Sequence, residues 1–225
     1  MDDENESAIS TRLKAPRAGA VAGVLFSILL IISVVLLRLS VPDSPRDPGM
    51  WLAESAKSVG LALSLLPFAG IAFLWFMGVL RDRMGIHEDR FLATVFLGSG
   101  LLFLALVFAS SAVAGALIMA YEAIPGKLMD SATYTFGRGV TYNLTNVYAL
   151  RMAGVFMMST CTINVRIGMF PRWIGFLGYV LALFLLLTAG RWGWGPLVFP
   201  IWTFVVSVYI LFANFRRAPD LKTAA

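Results

Sequence analysis

Long apolar blocks, separated by short polar or proline-bearing stretches, constrain this chain more than any other feature. A helix needs about 20 mostly apolar residues to cross the roughly 30 Å hydrocarbon core of a bilayer. Six segments approach that length: about 19–37, 58–80, 91–121, 146–170, 173–190 and 196–214. A soluble domain does not tolerate such runs, and it carries about 25% charged residues, against 14% here. The hydrophobic share is 59% of 225 residues, and the mean hydropathy is +0.80. The predicted fold is all-α: one transmembrane domain over 19–214, a six-helix bundle, with a disordered polar tail at 1–18 and a second tail at 215–225.

An even number of spans puts both ends of the chain on one side, and the basic residues say which. With the N-terminus inside, cytoplasmic segments hold 11 of the 18 Lys and Arg residues, including Arg81, Arg83, Arg90 and Arg172. Outer segments hold six, among them Arg38, Lys57, Arg138 and Arg191, and Arg151 lies within the fourth span. Lys and Arg accumulate in cytoplasmic loops, so the expected topology is N-in/C-in. Trp51, Trp192 and Trp194 then fall near the outer interface and Trp173 near the inner one, where tryptophan is enriched.

The connections differ in character. VPDSPRDPG (41–49) is a polar, proline-rich outer loop, and RDRMGIHEDR (81–90) a tight cytoplasmic turn. The third block would measure about 45 Å as a helix, more than the hydrocarbon thickness. The stretch SATYTFGRGVTYNLT after the IPGKLMD turn (124–130) has no strong helix breaker other than glycine. Helices 3 and 4 are therefore predicted to extend past the outer surface as a hairpin.

Several chemistries find no support. The net charge of +5 is scattered over short loops, which does not describe a nucleic-acid surface. Cys161 and His87 are the only residues of their types, so neither an intrachain disulfide nor the usual zinc site can form. No zinc-protease helix, serine-hydrolase elbow or nucleotide-binding loop occurs. No span carries a central Asp or Glu, against a carboxylate proton relay. No catalytic, cofactor-binding or metal-binding residue is assigned, and no cofactor is expected.

The polar load is concentrated in NVYALRMAGVFMMSTCTINVRIGMF (146–170). At about 100° per residue, Arg151, Ser159, Thr162 and Arg166 share one sector of the helix. Ionisable groups at membrane depth are costly and tend to face a bundle interior or polar cavity. This seam has two readings. It could hold an anionic head group or line a pathway. It could equally be packing, with hydroxyls bonding across helices and arginines reaching the interfaces; packing is preferred, because both arginines sit towards the span ends. Glu54 is the expected ion-pair partner of Arg151. Pro67 frees the Leu63 carbonyl in the second span and is a candidate hinge, with a static kink as the preferred alternative. Gly19 and Gly23, like Ser111 and Gly115, have small-x-x-x-small spacing and read as close packing within the bundle. His87 reads as part of a hydrated turn and Cys161 as an inert packing residue.

The run Pro171, Arg172, Trp173, Ile174, Gly175, Phe176, Leu177, Gly178, Tyr179, following an arginine-containing, hydroxyl-rich fourth span, resembles a loose group of small six-helix bacterial membrane proteins frequent in actinobacteria. The resemblance covers about the last third of the chain. It implies a multi-pass plasma-membrane protein and carries no activity and no site residues. On residue chemistry alone, proline ends one helix, arginine meets the surface and tryptophan anchors the next helix.

The expected function is non-enzymatic: a small carrier, or an accessory subunit that binds a membrane-protein partner or a second copy. One alternative is a lipid-binding or lipid-modifying enzyme whose arginines hold the phosphate of an anionic head group; another is a structural or sensory component. The lipid bilayer is the one partner common to all of these, and nucleic acid is not expected.

Overall fold

A computed structural model describes residues 2–42, 44, 47–84, 90–124, 127–129 and 131–220, with side chains described over 18–82 and 90–213 of that range. Its elements are α1 (Asp2–Ser40), a short α2 (Trp51–Glu54), α3 (Ala56–Met84), α4 (Arg90–Ala123), α5 (Ala132–Asn143), a π-helical segment (Leu144–Ala149), α6 (Leu150–Ile167), α7 (Arg172–Thr188), a 3-10 turn (Gly195–Leu197) and α8 (Val198–Asp220). The described residues contain no strand. α1 takes in the polar N-terminal stretch as well as the first apolar block. The His87 turn lies outside the described residues.

Many residues of these helices are β-branched and are mediocre helix formers in water. In a bilayer the backbone has no water to bond, so a helix is the one local structure that satisfies every amide within the segment. Among the described residues, four helical stretches are long and apolar enough to cross a membrane: Ala18–Ser40, Ala56–Asp82, Arg90–Ala123 and Gly195–Ala213. α7 is apolar but has only 17 residues. α6 is the polar one. It is also the most enclosed: ten of its 18 residues are buried, against 33–44% of the apolar windows in the four long stretches. Its polar groups therefore lie mainly inside protein.

One aromatic centre joins five helices. Phe26 of α1, Phe73 of α3, Phe103 of α4, Phe156 of α6 and Phe199 of α8 are all buried. Ring centroids lie 4.6 Å apart for Phe26–Phe73, 5.1 Å for Phe73–Phe156 and 5.0 Å for Phe103–Phe199. Tilted and edge-on pairs of this kind contribute about 0.5–1.5 kcal/mol each beyond the area they bury. Gly19 sits against Val79 of α3, and Gly23 against Phe76 of α3 and Ser207 of α8. The glycine pair of α1 thus packs inside the chain, as expected. α7 docks on α6 through Gly154, where an added Cβ would lie 3.1 Å from the Ala182 carbonyl, and through Gly178, which faces Cys161 and Trp202.

The π-helical segment is flanked directly by α5 and α6, so one helical rod runs from 132 to 167. Together with α4 it forms a long hairpin, joined by the short connection at 124–131. Ser131 is the N-cap of α5, its hydroxyl accepting from the Tyr134 amide at 3.1 Å, as N-cap serines do. Against α5 and the neighbouring end of α4 sits a second, smaller core of Trp51, Leu52, Val59, Leu117, Leu128 and Tyr134.

Candidate functional site

The polar groups of α6 are accounted for one by one. The Ser159 and Thr160 hydroxyls donate to the Phe156 carbonyl at 2.9 and 2.7 Å. Thr162 donates to the Met158 carbonyl and meets the Tyr179 hydroxyl of α7 at 2.8 Å. Asn164 closes the helix: its side chain accepts from the Phe170 amide at 2.8 Å and donates to the Phe170 carbonyl at 3.0 Å. Gly168 takes the left-handed turn there, at φ 71°, which suits a residue without a Cβ. Arg151 and Arg166 are exposed. Ser159 and Thr160 thus bond only their own helix, and Thr162 also reaches α7.

The expected partner of Arg151 is not brought to it. Glu54 is exposed on α2, and no hydrogen bond or ion pair joins it to Arg151. Glu54 ends a helix that packs on α3 and the second core, whereas Arg151 opens α6 beyond the π-helical segment. Pro67 lies on an exposed face of α3, which continues through it as one helix. The Ser64 hydroxyl donates to Leu61, at 2.7 Å, rather than to the Leu63 carbonyl.

The structure instead brings together two arginines that look in the sequence like separate loop charges. Arg38 ends α1 and Arg138 lies in the middle of α5, and both line one pocket of about 90 Å³. Arg38 donates to the Asn146 side-chain oxygen at 2.6 Å. Arg138 donates to the Pro42 carbonyl at 2.6 Å. Thr141, Tyr142 and Asn146 complete the polar wall. Arg138, Thr141, Tyr142, Thr145 and Asn146 have the three-and-four spacing of a single helix face, so the wall is largely one stripe of the 132–167 rod.

The π-helical segment sets the position of that stripe. Its wider turn rotates the rest of the rod relative to α5, and such segments recur at functional sites. Here Ser110 of α4 pins it, donating to the Thr141 carbonyl at 3.0 Å and meeting the Thr145 hydroxyl at 2.6 Å. The Tyr142 hydroxyl donates to the Gly190 carbonyl at 2.9 Å, tying α5 to the α7–α8 connection.

Two groups on this wall are unsatisfied. The Nε of Arg138 and the hydroxyl of Thr141 are buried and have no hydrogen-bond partner among the described residues, and Arg138 is only 8% exposed. An unpartnered buried polar group costs about 1–3 kcal/mol, and more when charged, so its presence calls for a physical reason. Burial pushes the Arg138 guanidinium below its ordinary value; nearby Tyr134 and Asp47 oppose that shift, and the charge of Arg38 adds to it. It remains protonated, as arginine does in proteins. A bound anion would partner the orphaned Nε and offset the repulsion between the two guanidiniums.

A second pocket of about 90 Å³ adjoins the first. Val34, Leu37, Ala114, Thr141, Thr145 and Pro196 line both. Beyond them its wall is mainly apolar, with Leu30, Leu66, Phe103 and Phe199. The first pocket carries its arginines and hydroxyls on one wall, with Val34, Leu37, Val59 and Leu117 among its apolar residues, and the second is more apolar still. None of Arg151, Ser159, Thr162 or Arg166 lines either compartment. Among the described residues, no three His, Cys, Asp or Glu side chains cluster as metal ligands.

Fold and site together define an all-helical protein with apolar helices of membrane-crossing length and a two-arginine pocket at one end of the bundle. Comparison with protein-family models, with curated proteins and with solved structures gives no match.

Proposed function

We propose that this chain is a six-span plasma-membrane protein with both termini in the cytoplasm, and that it binds a small anionic group at its outer face without transforming it. The observation that carries the reading is Arg138: nine-tenths buried, on a pocket wall shared with Arg38, with its Nε unpartnered among the described residues. Two guanidiniums, an amide and hydroxyls are groups that hold an anion. The six-span count is supported by the rods 132–167 and 172–188, which run beside the four longer apolar stretches. The distribution of Lys and Arg supports the orientation. The hydroxyls of α6 are bonded locally, so its face gives a carrier no path, and binding is the reading favoured over transport.

The test is calorimetric titration of the full chain in neutral detergent micelles with methyl phosphate. The wild-type protein should bind it, and Arg138→Gln should weaken binding at least tenfold. Thr141→Val removes a hydroxyl that bonds nothing among the described residues, so it should fold normally and still bind severalfold more weakly. Equal affinity in all three proteins, or no binding by the wild type, sinks the reading.

A further inference from the structure

We infer that the ligand of this site is a single-chain alkyl phosphate, its phosphate held in the arginine pocket and the first part of its chain in the adjoining apolar pocket. The inference rests on the anion-binding reading above and adds the identity of the head and the presence of a tail.

The head is assigned from charge and donor count. A phosphate monoester carries about −1.5 to −2 charges near neutrality and three strong acceptor oxygens. The wall offers two guanidiniums, one of which has a spare buried N–H, and the unpartnered hydroxyl of Thr141. A carboxylate brings two acceptor oxygens to these donors, one fewer than a phosphate monoester. Arg38 and Arg138 also hold Asn146 and Pro42, so both heads are fixed before a ligand arrives and little side-chain freedom is lost on binding.

The tail is assigned from the second pocket. It shares its threshold residues with the first, and its distal wall reaches Leu30 on α1. Leu30 and Arg38 are eight residues apart on one helix, which is about 12 Å of rise. A molecule lodged at both places is therefore extended along α1, polar at the Arg38 end and apolar at the Leu30 end. An inorganic anion would fill only the first pocket and leave the second, mainly apolar space without a role. A ligand with two large heads or several chains would exceed two compartments of about 90 Å³ each.

The experiment titrates full-length protein in neutral detergent with methyl, ethyl, propyl, butyl and hexyl phosphate, all used below their own micelle-forming concentrations. Affinity should rise by about fourfold per added methylene over the first members, the ratio that burying one CH₂ supplies. Ser111 lines only the apolar pocket, so Ser111→Phe should abolish the rise and leave methyl phosphate binding unchanged. Leu63→Phe, which fills the same space from α3, serves as a second variant, and retained methyl phosphate binding shows that each is folded. Hexanoate should bind at least tenfold more weakly than hexyl phosphate. If affinity is flat along the series while Arg138→Gln still weakens it, the tail is overturned and anion binding stands. If hexanoate matches hexyl phosphate, the phosphate assignment is overturned. If no member binds, or Arg138→Gln binds every member as the wild type does, both readings fall together.

Discussion

The indole N–H of Trp51 donates to the Tyr134 hydroxyl at 2.9 Å, and that hydroxyl in turn donates to Asp47 at 3.1 Å. Residues 83 and 87 positions apart in sequence are joined in one chain of bonds. Its effect is to strap residues 47–50 and α2 onto α5, next to the pocket that holds Arg138. The Gly49 amide donates to the same Asp47 oxygen at 3.0 Å, so the loop is held by side chain and backbone together.

Tyr134→Phe breaks the strap with almost no change of volume. It leaves the indole N–H of a nearly buried Trp51 unpartnered, which costs about 1–3 kcal/mol. Thermal unfolding in detergent should show that loss. Hydrogen exchange should speed up over 47–54 while α6 and α8 stay protected. An unchanged exchange pattern would mean that the strap does not hold the loop.

The same residue predicts an alkaline weakness. Burial pushes the Tyr134 hydroxyl above the ordinary tyrosine value, although the bond from Trp51 acts in the opposite direction. The neutral form is thus favoured in the folded state. Its contribution to stability is complete below about pH 10, where an unfolded tyrosine titrates, and is lost as pH rises through the higher folded value. A tyrosinate absorbance titration should contain a late-ionising component that Tyr134→Phe lacks. If the late component persists in that variant, the assignment fails.

Gly49→Ala should be more damaging than its size suggests. Gly49 has φ 95°, and an added Cβ would lie 2.9 Å from the Tyr134 ring. The left-handed backbone alone costs a side chain about 1–2 kcal/mol, and the ring cannot retreat without losing its bonds. Gly139→Ala is the control: it lies in α5 with open space at its Cβ, and should gain about 0.5–1 kcal/mol. Melting temperatures of the two variants should move in opposite directions.

On α6 the expected ranking reverses the apparent importance of its residues. Arg151 is exposed and makes no bond or ion pair with a described residue, so Arg151→Gln should change stability by no more than about 0.5 kcal/mol. Asn164→Leu strips partners from both the amide and the carbonyl of buried Phe170 and should cost about 2–4 kcal/mol. Denaturant unfolding of the two variants side by side checks the order. A large loss in Arg151→Gln would restore the case for a charged site on that face.

The helical character of the chain and its apolar blocks were legible in the sequence because both depend on hydropathy and length alone. The polar seam of α6 was legible as a pattern but not as a purpose. Ser159, Thr160 and Thr162 satisfy themselves on the carbonyls of their own helix, and the order of residues does not reveal where a hydroxyl turns. The Arg38–Arg138 pocket was missed for a different reason. The two residues are a hundred positions apart, and each looked like an interfacial charge. One signal was present: the helix-face spacing of Arg138, Thr141, Tyr142, Thr145 and Asn146 within a stretch lacking strong breakers. The π-helical turn and the orphaned Nε that complete the site depend on packing between helices, which spacing does not report.

The shared phenylalanine centre has a consequence for how the protein is made. Phe199 stacks on Phe26, Phe73, Phe103 and Phe156 at once, yet α8 is synthesised after all of the helices that carry them. During translation the earlier helices gather around a vacancy in the middle of the bundle, and α8 acts as the keystone that fills it. The aromatic centre therefore closes only once α8 is in place, and a nascent chain stalled before α8 would leave that seam open to insertion or quality-control machinery.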